Sequence, residues 1–478
     1  MLFRRSGFRA GLFSVVTARC RLFGREILMV TKPPLVPHAK PVIGHALDIW
    51  QDPLKFFSEA AKTAPLSRIK IGWKDACLVS SHELLYQMLV TDAKKYDKGI
   101  QYERARAMLG NGVLLAEGDF HLRQRRRMQP LFNKPSINDY VAAMHEYSTA
   151  MVSGWPDNGV VEVYPEFYRL ATRVVIDTLF STKLSDQDVE LVRAKMPIVI
   201  AGIEKRGALP PRIFDAIPTP ENRAFYSAIA DLRALGDRLV AGRLRQDRGI
   251  AGGGCPADLM DVLTGDVDES TRRDNDHAQI LNEFLTYLTA GSETTPSAMA
   301  WSCYLLAEHA SVQEELRSEI AGFDLSVDNP VAAIGQLELL QAVIKESMRL
   351  YPPVWALGRR TLESTALGGF ELPAGTQVFY SVYSIQRDEA AYRNADDFAP
   401  QRWLSGDKPP RTAFLPFGAG VRNCIGEHFA WIEISIALIN ILNRFELTLK
   451  PGQQVPAAAM GALVPGPLPI RLRALVSS

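Results

Sequence analysis

The chain has 478 residues, of which 47% are hydrophobic and 22% charged, and its formal net charge at pH 7 is +1. This composition is that of a folded globular protein and excludes a disordered, collagen-like or disulfide-framework chain, while the small net charge gives no overall field that would attract nucleic acid. The five cysteines form no C-x-x-C pair, so their spacing does not predict a zinc site and suits a reducing compartment.

The first 28 residues differ from the rest because they contain six arginines and one acid. Their apolar stretch, Ala10–Ala18, is too short to span a bilayer. Two interpretations stay open: an organelle presequence or membrane-surface anchor, or a disordered extension that precedes a working start at Met29. We expect residues 1–30 to be an extension and residues 31–478 to form one domain. Later segments predict no transmembrane helix, so we expect a cytoplasmic protein unless the extension directs it elsewhere.

The domain begins with Thr31–Pro41, whose four prolines predict an extended segment. β-Branched residues on both sides of Gly72 predict a hairpin over Ser67–Ser80, and a helix follows from His82. Between Glu117 and Pro352 the pattern is mostly helical.

Two breaks interrupt this helical region, at Gly207–Pro220 with its prolines and at Gly252–Gly254. After Pro352, the segment Gly368–Gly375 predicts a turn-rich link between short strands, and Thr376–Ser384 predicts a further strand. The sequence therefore predicts a mainly α-helical fold with a minor β region.

The most informative segment is Phe414–Gly426, in which three glycines and a proline surround Cys424 just before a helical run. A lone cysteine is more often a small buried hydrophobe. Here the glycines permit a tight loop, and a helix N-terminus behind the sulfur favours the thiolate. Arg422 can neutralise a carboxylate close to the same centre.

This segment resembles the haem-binding signature F-x-x-G-x-R-x-C-x-G of the cytochrome P450 family. The matching residues are Phe417, Gly420, Arg422, Cys424 and Gly426. The resemblance implies that Cys424 is the thiolate ligand of haem b, a ligand that favours O–O cleavage. It also implies that Phe417 packs near the sulfur and that Arg422 binds a haem propionate.

A second signature is the pair Glu346 and Arg349, which lie three residues apart and face each other on a helix. Alone, such a pair is often a solvated surface contact of little value. The segment Phe398–Trp403 resembles the family's next signature in the correct order, although Gln401 replaces a frequent glutamate. The resemblance implies a structural network of Glu346, Arg349 and Arg402 behind the haem.

The apolar run Ile280–Leu306 contains Ala290–Thr295, which resembles the family's oxygen-binding helix. Glu293 and Thr294 can relay protons to iron-bound oxygen, and Gly291 leaves a groove for O2. The alternative is that these polar residues only bend the helix.

Pro296 lacks the N–H that would bond to the Ser292 carbonyl, so we expect the helix to be opened or kinked there. The freed carbonyl would be available to water or to the Thr294 hydroxyl.

The segment Gly118–Phe132 resembles the family's proximal helix, which implies that His121 and Arg125 contact the haem propionates. Arg359 corresponds to a third propionate ligand. The alternative is that His121 and Arg125 are simply exposed on a basic helix.

Three further arginines on this segment, Arg123, Arg126 and Arg127, are too few for nucleic-acid binding and lack an aromatic stacking platform. In the family, the proximal face receives an acidic electron carrier. We therefore expect a docking patch for a ferredoxin or flavodoxin-type carrier that an NAD(P)H reductase supplies.

The resemblance implies a haem-dependent monooxygenase that hydroxylates or epoxidises a hydrophobic small molecule with O2. The alternatives are a peroxide-driven peroxygenase and a non-catalytic haem sensor, and the pair Glu293 and Thr294 opposes both. Apolar segments expected to line the pocket predict a hydrophobic substrate. A loose similarity to soluble microbial members of the family favours a terpenoid, with fatty acids, steroids and polyketides as alternatives. Arg206 or Arg212 could anchor the carboxylate of a fatty acid, although charged residues in such a loop are more often solvated. We expect a monomer.

Overall fold

The computed structural model describes residues 19–22, 25–28, 32–208, 217–246, 258–264, 277–406 and 409–475. Most of the N-terminal extension, the glycine run at 252–254 and Arg212 lie outside these ranges. The expectations for these residues therefore stay predictions.

Helices dominate the described chain, as the sequence predicts. The α-helices are α1 (Ala46–Gln51), α2 (Pro53–Ala61), α3 (His82–Tyr86), α4 (Ile100–Leu109), α5 (Gly118–Met128), α6 (Lys134–Ser153), α7 (Val163–Phe180), α8 (Asp186–Ala208), α9 (Pro220–Gln246), α10 (Leu259–Thr264), α11 (His277–Glu308), α12 (Ala310–Ile320), α13 (Pro330–Ile334), α14 (Glu338–Leu350), α15 (Val382–Ile385) and α16 (Glu427–Arg444). Within the described ranges, no helix combines the length and the apolar character that crossing a membrane requires.

The strands are short and form separate small sheets. They are β1 (Arg19–Leu22), β2 (Arg25–Leu28), β3 (Leu66–Ile71), β4 (Lys74–Val79), β5 (Tyr96–Asp97), β6 (Asn158–Glu162), β7 (Ala356–Thr361), β8 (Thr365–Leu367), β9 (Phe370–Leu372), β10 (Gln377–Ser381), β11 (Phe445–Thr448), β12 (Ala457–Ala459), β13 (Leu463–Pro465) and β14 (Pro469–Ala474). The largest sheet has the order β3-β4-β10-β7-β5, and a second has the order β11-β14-β6.

The largest sheet combines strands from the N-terminal part of the chain with strands from its C-terminal half. Strands β3 and β4 form the predicted antiparallel hairpin, with Leu66 opposite Val79. Strand β10, from the C-terminal half, then pairs parallel to β4 and antiparallel to β7. Strands β8 and β9 form a further hairpin, and β9 lies within Gly368–Gly375, which the sequence predicted as a turn-rich link between short strands. Two small apolar clusters pack against this sheet, while the main core lies among the helices.

Helix α11 runs through the middle of the helical core, and most of its side chains are buried. It is continuous from His277 to Glu308, so Pro296 does not interrupt it. The Thr294 hydroxyl donates to the Ala290 carbonyl at 2.8 Å. Of the two partners expected for the Ser292 carbonyl, the Thr294 hydroxyl is therefore wrong, because a hydroxyl on a helix reaches the carbonyl four residues earlier more directly, and water stays a prediction.

Candidate functional site: the cysteine loop and the helix above it

The loop before α16 is shaped by its glycines. Gly418 and Gly420 have φ angles of +72° and +69°, a region that residues with a Cβ rarely adopt. A Cβ on Gly420 would also collide with the Leu89 carbonyl, so the loop lies directly against the segment after α3. The backbone N–H of Cys424 donates to the Phe417 carbonyl at 2.8 Å and closes the loop. The sequence thus folds this segment so that one cysteine is held just before a helix.

Cys424 differs from the other free cysteines of the described chain. Cys77 and Cys303 are buried, whereas Cys424 is exposed on one side of its loop. The surrounding chain still removes much of its water, and this burial raises the pKa of the Cys424 thiol to about 11, while the Gly426 N–H and Arg125 lower it. Coordination to a metal ion would deprotonate such a thiol outright.

The segment next to Cys424 is anchored by arginines. Arg125 on α5 donates to the carbonyl and to the side-chain oxygen of Asn423, both at 2.7 Å. Arg422 donates to the Ala116 carbonyl at 2.6 Å and pairs with Glu117. Arg422 therefore ties the cysteine loop to the start of α5, and Arg125 ties it to the last turn of the same helix.

His121 is buried beside these arginines, with an exposed fraction of 4%. Burial, together with the nearby charges of Arg422, Lys98 and Arg125, lowers its pKa to about 4. The imidazole is therefore neutral at pH 7. The alternative of a solvent-exposed basic helix does not fit this side chain, nor Arg125, which is half-buried.

Lys98 is a member of this cluster that the sequence reasoning missed. It is 9% exposed, and its pKa is well below the ordinary value because of burial and because Arg422 and Arg359 lie nearby. Its ammonium group lies 4.8 Å from the centre of the Tyr102 ring. No sequence signal marked it, since a lysine between Asp97 and Gly99 looks like an ordinary surface residue.

This cationic cluster fits a haem. Among the described groups that act on Lys98, three are arginines and Glu117 is the one carboxylate. Buried positive charge of this density is costly unless anions compensate it. Two propionates beside a cysteine loop would supply those anions. The cluster consists of Lys98, His121, Arg125, Arg359 and Arg422.

Glu293 and Thr294, on α11, are held by different partners. The Tyr168 hydroxyl on α7 donates to the Glu293 carboxylate at 2.7 Å. Burial raises the pKa of Glu293 to about 7, and the Tyr168 hydrogen bond lowers it. The carboxyl can therefore take up and release a proton near neutral pH. Tyr168 lies 125 positions away in the chain, and nothing in the sequence linked it to Glu293.

Gly291 serves helix packing. A Cβ built on it would lie 2.8 Å from Val175 Cγ2, closer than real side chains approach. The glycine therefore lets α7 come close to α11. The interpretation that Gly291 leaves a groove for O2 is wrong, because the space at its missing Cβ is filled by Val175.

The structure brings Glu346, Arg349 and Arg402 together. Arg349 donates to both Glu346 oxygens at 2.9 Å, and both side chains are fully buried. Arg402 donates to the same carboxylate at 2.9 Å, and Trp403 does so at 2.8 Å. A solvated surface pair is thus excluded, and Trp403 is a member that the sequence reasoning missed.

Two expectations on arginines are corrected by their contacts. Arg127 donates to the Val262 carbonyl at 2.7 Å and is partly buried, so it belongs to the packing of α5 on α10, whereas Arg123 and Arg126 are exposed. Arg206 donates to the Gly202 carbonyl at 3.0 Å and stacks on Phe225 at 3.7 Å from the ring centre. These contacts engage the Arg206 side chain between α8 and α9, so they do not support a role as an anchor for a carboxylate.

Comparison with known proteins identifies the class of protein that this fold and site define. The cytochrome P450 family model matches residues 33–473, and the chain belongs to this family. A crystal structure of the cytochrome P450DA heme domain superposes with a TM-score of 0.81, covering 94% of this chain and 98% of that one at 23% identity. The fold is accordingly that of a single P450 haem domain, mainly α with minor β.

Among particular relatives, the cyclooctat-9-en-7-ol 5-monooxygenase of Streptomyces melanosporofaciens is 33% identical over 437 residues, which cover 91% of this chain and 94% of the relative. The pentalenene oxygenase of Streptomyces avermitilis is 33% identical over 443 residues, with 91% and 96% coverage. This chain is a cytochrome P450 monooxygenase. Membership in the family implies a haem cofactor and a supply of electrons from a redox partner.

Proposed function

We propose that this chain hydroxylates or epoxidises a terpenoid, using O2 and electrons from a separate carrier protein. The observation that carries the proposal is the arrangement around one loop, where Cys424 lies beside a buried cationic cluster. The match of the family across residues 33–473 supports one haem domain within residues 31–478.

When bound, haem b supplies the activation of O2 that amino-acid side chains cannot perform. Cys424 is the residue of this chain that would hold the iron through its sulfur. Lys98, Arg125 and Arg422 would compensate the propionates, and neutral His121 can donate a hydrogen bond to one of them. Phe417 packs against Trp431 at 5.9 Å between ring centres, and in this proposal it would cover the loop near the sulfur.

Glu293 and Thr294 would take up and release protons on the side of the haem opposite Cys424. A carboxyl with a pKa of about 7 can act as both acid and base at neutral pH. The Thr294 hydroxyl, which donates to the Ala290 carbonyl, can accept a hydrogen bond from a second donor at the same time. This pair favours a monooxygenase over a peroxide-driven enzyme or a sensor, since neither of those needs such a relay.

The electron carrier would dock on the exposed side of α5. Arg123 and Arg126 are exposed there, on the helix that also carries His121 and Arg125. An acidic carrier of the ferredoxin or flavodoxin type, reduced by an NAD(P)H reductase, would be attracted by this charge.

The substrate class rests on the relatives and on the apolar character of the segments near the site. The relatives are named for cyclooctat-9-en-7-ol and for pentalenene, a terpene hydrocarbon. A fatty acid would need a cation for its carboxylate. Of the two arginines expected there, Arg206 is engaged within its own helices, and Arg212 lies outside the described residues. The names of the relatives favour a terpenoid over a fatty acid.

A titration tests the proposal. The purified ferric protein is mixed in turn with terpene hydrocarbons, terpene alcohols, steroids and fatty acids, and the Soret band is followed. A blue shift with terpenes at micromolar concentration and none with fatty acids is the expected result. A shift with fatty acids alone would contradict the terpenoid assignment.

A further inference from the structure

Helices α7 and α11 pack unusually closely beside the proton-handling residues. The approach of Gly291 to Val175, where a Cβ would lie 2.8 Å from the valine methyl, brings the two backbones together. Tyr164 and Tyr168 lie four residues apart on α7, so they share one face of that helix. Their ring centres are 6.4 Å apart in an edge arrangement. Two tyrosines of α7 therefore lie near Glu293 at the contact between the two helices.

At this contact, Tyr168 donates the hydrogen bond to Glu293. The Tyr168 side chain is 2% exposed, and burial together with the Glu293 charge raises its pKa well above the ordinary value. Tyr168 therefore stays protonated and donates to the carboxylate throughout the working pH range. Its bond directs the Glu293 carboxyl toward α7, while the Thr294 hydroxyl points along α11 to the Ala290 carbonyl.

A second acid, Glu204 on α8, interacts electrostatically with Glu293. Its pKa is raised to about 7 by desolvation and by the charge of Glu293. Among the described residues, the charge of Glu293 also raises the pKa of Tyr164 and of Tyr168 on α7. Of these three groups, Tyr168 is the one that donates a hydrogen bond to the Glu293 carboxylate.

We propose that Tyr168 is the positioning residue of proton delivery: its hydrogen bond holds the Glu293 carboxyl on the α7 side until the carboxyl turns toward Thr294. This inference rests on the proposed function, because it assumes that Glu293 delivers protons. Only O–H bonds change. Glu293 gives its proton toward Thr294 and takes another from solvent, while Tyr168 keeps its own proton.

Two variants should shift the pH profile of turnover in opposite directions, and these directions distinguish a positioning role of Tyr168 from a merely structural one. Delivery requires the protonated carboxyl, so turnover falls as the pH rises through the pKa of Glu293. Tyr168→Phe removes a hydrogen bond that stabilises the ionised form, so the pKa and the alkaline limb of the pH profile move up by about one unit. Glu204→Gln removes a like charge, so the alkaline limb moves down.

The experiment measures kcat, product formed per electron pair, and solvent isotope effect from pH 6 to 9 in the haem-loaded protein. Tyr168→Phe is expected to lower kcat several-fold and raise the isotope effect, with an unchanged substrate-induced Soret shift. Tyr147→Phe is the matched control, since Tyr147 donates to the Asp177 carboxylate at 2.9 Å on another face of α7. Its pH profile should be that of the wild type.

Two results would overturn the inference. One is a wild-type pH profile in Tyr168→Phe, whether or not kcat falls. The other is a shift of the same sign in Tyr168→Phe and Glu204→Gln. Glu293→Gln separates this failure from failure of the proposed function: if that variant turns over with wild-type product yield, Glu293 delivers no proton and the proposed relay itself is wrong.

Discussion

Replacing Glu346 by glutamine removes the single negative charge at the centre of a buried network. The carboxylate accepts hydrogen bonds from Arg349, Arg402, Trp403 and the Ala399 N–H, at 2.8 to 3.1 Å. Glutamine has nearly the same shape, but its NH2 group would face a guanidinium, and the Arg349 charge would stay buried without its counterion. Breaking a buried pair in this way costs about 3–5 kcal/mol, out of the roughly 5–15 kcal/mol by which a typical domain is stable.

Urea unfolding followed by far-UV circular dichroism measures this loss. The chain offers a matched control, because Glu59 and Lys62 also lie three residues apart and form an ion pair at 2.8 Å, yet both side chains are more than 60% exposed. Glu59→Gln should cost no more than about 0.5 kcal/mol. A loss below about 1 kcal/mol in Glu346→Gln, close to that of the control, would refute the reasoning from burial.

Three further predictions concern the site. Thr294→Ala should raise the peroxide released per electron pair, with the substrate-induced Soret shift unchanged; unchanged coupling would remove Thr294 from the proton relay. Arg126→Gln should slow reduction by an acidic carrier more at 0.01 M than at 0.15 M ionic strength, because salt screens the attraction. Arg127→Gln should instead lower the free energy of unfolding by about 1–3 kcal/mol, because the Val262 carbonyl would lose its hydrogen-bond donor. Lys98→Met should weaken haem retention in a transfer assay to apomyoglobin, whereas wild-type retention would exclude Lys98 from the propionate cluster.

The positions of several helices, strands and turns could be predicted from the sequence, because apolar periodicity and turn residues are local features of the chain. The hairpin over Ser67–Ser80, the long helix around Glu293 and the tight loop at Cys424 all follow from neighbours within a few positions. The contact between Glu346 and Arg349 could also be predicted from the sequence, because their spacing places them on one helix face.

The remaining contacts join positions far apart in the chain, and local patterns carry no information about them. Tyr168 meets Glu293 across 125 positions, and Trp403 meets Glu346 across 57. The role of Gly291 was misread for the same reason, since the sequence shows a missing side chain but not the helix that occupies the space. Arg127 looked like its exposed neighbours until its position against the Val262 carbonyl was known.

The central claim is that Cys424 supplies the thiolate ligand of the haem, and the Soret spectrum of the haem-loaded protein tests it most directly. Cys424→Ser should abolish the thiolate-type band of the reduced, CO-bound protein, whereas Cys303→Ala, at a buried cysteine of α11, should keep it. A thiolate-type band that survives in Cys424→Ser would mean that another residue holds the iron and would contradict the assignment of the site.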